Sequence, residues 1–240
     1  MVLLHAFNKK SNIFISLFLV LITSSASAAY TPSTAISYAV NNYNLPYNTT
    51  SNPFINVSGV GGNCTNFANQ TISGGLLGIT NAKTLNQNLI SQSTAVKAVQ
   101  NTSVFYKCNT VGNTCQTIAW RGAQPMFTYS ANSTSLQSKG VRLNLATKTT
   151  LVNGTLSPLD LSKIRVGDIV YLDFDFVIGG SSNSVDHTAV VTAVNPESWY
   201  DVTQTMKYNN IKLTYQSNNT TNKGLGDMNA PAIYIYRPFI

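Results

Sequence analysis

The chain has 240 residues, 43% hydrophobic and only 10% charged, where an ordinary soluble domain carries roughly 25% charged residues. That balance excludes a self-repelling disordered chain and a coiled coil. The net charge of +7 is diffuse, with no Lys/Arg run dense enough for a nucleic-acid arm, so no nucleic-acid partner is expected.

Residues 1–28 read as an export leader, with Lys9 and Lys10, an apolar run from Ile13 to Ile22, and the small-residue ending Ala26-Ser27-Ala28. The run is short for a bilayer span, so cleavage after Ala28 is expected, the alternative being an uncleaved anchor helix. No later stretch is apolar enough to insert. Removing the leader leaves a net charge of +5, a single domain over 29–240, and a secreted or periplasmic location. The positive excess suits an anionic envelope surface and serves solubility equally well.

Abundant Asn, Thr and Ser, with 12 Tyr, favour turns and strands. Apolar spacing predicts helices over about 32–44, 64–73, 91–100 and 123–138, the second stopped by Gly74-Gly75. Strands are predicted near 103–108, 115–120, 166–174, 187–194, 209–216 and 232–237, and loops at 48–58 and 218–223. Helices thus dominate the first half and alternating strands the second (Ile169, Tyr171; Ile211, Leu213; Ile233, Ile235). This is an α+β plan, with N-terminal helices packed on a C-terminal antiparallel sheet. Tyr43, Tyr47 and Trp120 are candidates to line a groove.

Without the leader, one histidine remains, His187, with three cysteines. Cys108 and Cys115 bracket a turn-prone hexapeptide between strand-like runs, so a hairpin would face their sulfurs and an exported chain would join them. Cys64 is left over. It follows Gly59-Val60-Gly61-Gly62-Asn63 and precedes Phe67, Ala68, Thr71 and Ile72 at helical spacing. That sets it at a helix N-terminus, where amide groups and the macrodipole favour a thiolate. The plainer alternative is a small buried hydrophobe in a first helical turn. A thiolate nucleophile needs a base, and His187, opening the β-rich run to Val194, is the imidazole that remains. One histidine and acids without recognisable spacing do not make a zinc site, and no metal or cofactor is expected. The sequons at Asn56, Asn69, Asn101, Asn132 and Asn153 are what an Asn- and Thr-rich chain produces by chance.

The run Gly61 to Gln70, followed by Gly74-Gly75, resembles the Asp-Cys-Thr-Asn-Phe-x-Ser-Gln…Gly-Gly motif of the putative amidase domain family. Ala35 to Tyr47 is similar to that family's leading helix and following turn, Leu161 to Tyr171 to its Gly-Asp entry into the sheet, and Asp186 to Val191 to its histidine strand. The resemblance implies a papain-like fold related to NlpC-type and CHAP-type cell-wall hydrolases. It implies Cys64 as nucleophile, His187 as base, and a peptide or peptidoglycan-type amide as substrate. Departures from the pattern are Asn63 in place of aspartate, Asn69 in place of serine, and Gln216 where a second histidine often stands. A third polar residue usually orients the histidine, and Gln216 and Asn218 are the two candidates. The Cys64 backbone N–H, with the Asn63 side chain as a second donor, would receive the oxyanion. Two rival readings stay open: a non-catalytic envelope- or surface-binding module on the same fold, and a Cys64-linked dimer in place of the expected monomer.

Overall fold

The computed structural model describes residues 30–59, 61–91, 118–132, 149–150, 164–175, 184–195, 210–228, 230 and 232–238. Pro32, whose fixed φ suits a first helical turn, opens α1 (Pro32–Asn42), which buries Ala35, Tyr38, Ala39 and Asn42. Helix α2 (Asn63–Leu77) is buried at every residue from Cys64 to Leu76, polar ones included. Gly74 and Gly75 do not stop it, contrary to the sequence expectation. It continues to Leu77 and ends at Gly78, whose φ of 70° is the left-handed cap and whose N–H bonds the Gly74 carbonyl.

The two glycines serve packing instead. A Cβ at Gly75 would lie 2.5 Å from Tyr30 Cε2 and 2.9 Å from Ala35 Cβ, and one at Gly74 would lie 3.1 Å from the Tyr38 ring. Thr31 N–H also donates to the Gly75 carbonyl at 3.0 Å. Helix α1 therefore sits on α2 at a distance no side chain would allow.

Helix α3 (Ala82–Ser91) was not anticipated; Asn81 Oδ1 caps it by accepting the Thr84 N–H at 3.0 Å. The helix expected over 91–100 falls outside the described residues beyond Ser91. Two further helices are α4 (Ile118–Arg121) and α5 (Ala123–Asn132). The strand expected at 115–120 is corrected, since Ile118 to Trp120 is helical. The reason is tertiary: Trp120 is fully buried, and its indole N–H donates to Asn66 Oδ1 of α2 at 2.7 Å. The strand expected over 103–108, the Cys108–Cys115 disulfide and the leader lie outside the described residues. Cys64 is a free cysteine.

The C-terminal half supplies β1 (Thr149–Thr150), β2 (Ile169–Asp173), β3 (His187–Val194), β4 (Ile211–Tyr215), β5 (Thr220–Gly224) and β6 (Ala232–Tyr236). They form one antiparallel sheet in the order β1-β6-β2-β3-β4-β5. The expected loop over 218–223 is corrected here, because a tight turn after Gln216 returns the chain as β5. Asn219 (φ 49°) and Asn222 (φ 55°) adopt the left-handed conformation that asparagine tolerates. Alternation divides the sheet. Ile169, Tyr171, Val190, Tyr234 and Tyr236 join the helical core, while Val170, Leu172, Ala189, Val191, Leu213, Ile233 and Ile235 face the other way with Ile164, Leu225 and Ala230. The architecture is thus α+β, as expected.

At the Gly167 end of β2, a φ of 87° makes the turn, and the Gly167 carbonyl accepts the Tyr30 hydroxyl at 2.9 Å. Next to it Asp168, 1% exposed, receives Arg237 Nε at 2.7 Å and a second guanidinium nitrogen at 3.0 Å. The Gly-Asp pair thereby fastens the start of β2 to the chain leaving β6. Among the described residues no helix is long and apolar enough to cross a membrane.

Candidate active site

Cys64 is the second residue of α2. Gly62 caps the helix without a side-chain hydrogen bond, which leaves first-turn amides without an intrahelical or capping acceptor. The approach to the cysteine is tightly built: Gly62 N–H donates to the Arg121 carbonyl. A Cβ on Gly61 would lie only 2.2 Å from that same oxygen. A Cβ on Gly62 would lie 3.0 Å from the Cys64 sulfur itself. Glycine at both positions is what lets α4 and the thiol come so near the loop.

His187 is the first residue of β3, paired with Leu172 of β2. Its ring stands edge-on to Tyr215, centroids 4.6 Å apart at 88°, and lies 6.3 Å from the Phe174 ring. Sheet and helix meet so that His187, at the strand mouth, faces Cys64 across 123 positions of sequence. The electrostatics follow. Burial pushes the Cys64 thiol up, but the hydrogen bond and charge of His187, the Thr188 backbone N–H and the Thr65 hydroxyl outweigh it. The thiol falls from an ordinary 9.0 to about 7, so thiolate is abundant near neutral pH.

The other sequence candidates separate. Gln216 is buried, and its Nε2 donates to the carbonyls of Leu45 at 2.6 Å and Asn42 at 3.3 Å. Its Oε1 is buried without a hydrogen bond, as is Nε2 of His187. Asn218 is exposed in the β4–β5 turn, where its carbonyl accepts the Thr220 hydroxyl at 3.3 Å. Asn63 closes the preceding loop: its Oδ1 accepts Val57 N–H and its Nδ2 donates to Asn56 Oδ1, both at 2.9 Å. Trp120 is core and lines no groove, while Tyr43 and Tyr47 are half-buried. The Tyr47 hydroxyl reaches the Asn63 carbonyl at 3.3 Å.

The polar residues after the cysteine form a buried scaffold. Asn66 Oδ1 accepts from Trp120 and from Gln70 Nε2 (3.1 Å), while Asn66 Nδ2 donates to the Ile55 carbonyl at 3.0 Å. Asn69 Nδ2 reaches the carbonyls of Ala119 and Trp120, and Gln70 Oε1 accepts the Tyr38 hydroxyl at 2.8 Å. Helix α1, helix α4 and the loop at Ile55 are thus bonded to α2 through side chains that point into the core. Sequence reasoning missed Thr65 and Thr188, whose hydroxyls meet at 3.0 Å. The visible signal was a threonine directly after each member of the thiol–imidazole pair.

Among the described residues, one grouping could hold a cation: Asp173, Asp175 and Asp186, whose carboxylate oxygens lie within 4.8 Å of one another. Oxygen ligands of this kind suit a hard ion rather than zinc. Two of the three are exposed, and Asp186 already accepts the Phe174 N–H at 2.8 Å.

A buried thiol at a helix start, an imidazole opposite it on a strand, and helices stacked on an antiparallel sheet define the class of site. The chain belongs to the putative amidase domain family, whose model matches residues 29–230. Membership sets amide-bond hydrolysis as its chemistry. Comparison with curated proteins and with solved structures yields no match in either.

Proposed function

We propose that the protein is an exported cysteine amidase of papain-like type, acting on peptide amides of the cell envelope, with Cys64 as nucleophile and His187 as acid and base. The observation that carries this reading is the convergence of His187 on a thiol held near pKa 7 at the start of α2. The Cys64 sulfur attacks the amide carbonyl carbon, and the oxygen takes the electron pair beside the Cys64 backbone N–H. Protonated His187 gives its proton to the departing amine, leaving a thioester. It then takes a proton from water as that water attacks the acyl carbon, and the thiolate leaves.

Gln216 is the better candidate to orient the imidazole. Its amide nitrogen is fixed on two backbone carbonyls, so its buried Oε1 is preset as an acceptor. Asn218 is exposed and lacks such support. The backbone N–H of Cys64 is the main oxyanion donor, since the Asn63 amide already spans Val57 and Asn56. Export rests on the leader expected at 1–28, and the envelope substrate on export together with the family.

The experiment is digestion of whole peptidoglycan and of defined wall peptides by protein lacking residues 1–28, with Cys64→Ala alongside. New amine and carboxyl ends, mapped by mass in the wild-type digest alone, support the reading. Intact substrate with retained binding to the wall would overturn it in favour of a binding module.

A further inference from the structure

Thr65 and Thr188 are both fully buried, and each directly follows one member of the thiol–imidazole pair. Their hydroxyl oxygens are 3.0 Å apart, and Thr65 Oγ1 lies 3.8 Å from the Cys64 sulfur, within reach of a hydrogen bond to sulfur. We propose that Thr65 is a positioning residue for the nucleophile, its hydroxyl held by Thr188 and turned to donate to the Cys64 thiolate. This rests on the reading of Cys64 as nucleophile and names a device that serves it.

A hydroxyl carries one proton and can accept while it donates, so the row Thr188–Thr65–Cys64 has two consistent arrangements. With a neutral thiol, S–H donates to Thr65, which donates to Thr188. With a thiolate the direction reverses, and Thr188 donates to Thr65, which donates to sulfur. The sulfur's own proton passes to His187 when the row reverses, and the two hydroxyls keep theirs and turn. The charged arrangement is favoured because a buried anion gains more from an aligned donor chain than a neutral thiol does. The Thr188 backbone N–H acts on the same sulfur, so one residue of β3 serves the thiolate twice. Among the described residues, His187 is the charged partner that acts on this sulfur, and the two threonines carry no charge. The 3.0 Å bond also pins the first turn of α2 to the mouth of β3, which sets the spacing between Cys64 and His187.

The test uses Thr65→Val, which keeps the shape and removes the hydroxyl, Thr65→Ser, which restores it, and Thr188→Val. Iodoacetamide alkylation is followed from pH 5 to 10 and read at the Cys64 peptide by mass mapping. Loss of one hydrogen bond to an ionised group predicts that Thr65→Val reacts about tenfold more slowly than wild type near pH 6. The two rates should converge near pH 10, where both thiols are ionised. Thr65→Ser should stay within about threefold of wild type throughout, and Thr188→Val should shift the profile in the same direction as Thr65→Val. A Thr65→Val profile that overlays wild type, or one lowered by the same factor at every pH, overturns the proposal while leaving the nucleophile reading intact. A wild-type profile with the pH dependence of an ordinary thiol overturns both.

Discussion

Gly61→Ala is the sharpest test of how the loop before Cys64 works. The added Cβ would sit 2.2 Å from the Arg121 carbonyl oxygen and 2.9 Å from its carbon. Both are backbone atoms of α4, which cannot swing aside as a side-chain tip could. Reaching ordinary contact requires about 1 Å of separation between loop and helix, which also breaks the bond from Gly62 N–H to Arg121. Overpacking costs about 1–3 kcal/mol and the broken bond about 1 kcal/mol, so a stability loss of about 2–4 kcal/mol is expected. Cys64 lies three residues further on, and a 1 Å misplacement at a reacting centre costs about 100-fold in rate, or about 2.7 kcal/mol. Amide hydrolysis measured as kcat/KM, with urea unfolding of the same samples, separates the two effects. Gly59→Ala is the control, since a Cβ there meets nothing within 4 Å. If Gly61→Ala kept kcat/KM within threefold and stability within about 0.5 kcal/mol of wild type, the close approach of α4 would be irrelevant and the reasoning wrong.

Asn66→Ala removes an acceptor from Trp120 and Gln70 and a donor from Ile55, all buried; about 3–5 kcal/mol of stability should be lost, read by urea unfolding. A loss below about 1 kcal/mol would mean the scaffold around α2 is dispensable. Gly75→Ala should lower Tm by several degrees, because its Cβ meets Tyr30 and Ala35 across the α1–α2 seam, and an unchanged Tm would contradict that packing. Folding lowers the Cys64 pKa from 9.0 to about 7, so unfolding takes up a proton between those values. The thiolate's stabilisation is therefore full above pH 9, shrinks as pH falls towards 7, and is gone below it. The stability gap between wild type and Cys64→Ser should widen by about 2–3 kcal/mol on going from pH 6 to pH 10, and a gap independent of pH would refute the depressed pKa.

What could be read from sequence was what repeats or punctuates. The alternation in Ile169–Tyr171, Ile211–Leu213 and Ile233–Ile235 gave strands close to their true limits. The glycine loop followed by helical spacing placed Cys64 at a helix start. Failures came where tertiary contact overrode local preference. Ile118 to Trp120 looks like strand, yet the indole's bond to Asn66 and the carbonyls' bonds to Asn69 favour a helical turn. Gly74-Gly75 looks like a stop, but in α2 the absence of two side chains makes room for Tyr30 and Tyr38. Strand β5 has the sequence Thr-Thr-Asn-Lys-Gly, with no apolar alternation to announce it; its neighbour β4 supplies the pairing. At the site, the sequence pattern placed Cys64 at a helix start and His187 at a strand start, whereas the burial of Gln216 and the exposure of Asn218 depend on tertiary packing that no local pattern announces.

The sheet order has a bearing on biosynthesis. Strand β6 comes last in the chain among the described strands, yet it is inserted between β1 and β2 rather than added at an edge. While the polypeptide is still emerging, β2 has an open flank, and Asp168 awaits a cation that arrives 69 residues later. Helix α2, which bears the sulfur, is made long before the frame that steadies its partner strand is complete. A ribosome-bound nascent chain would thus carry Cys64 and His187 without a finished fold, and amide-hydrolysing competence would appear as a late, all-at-once event.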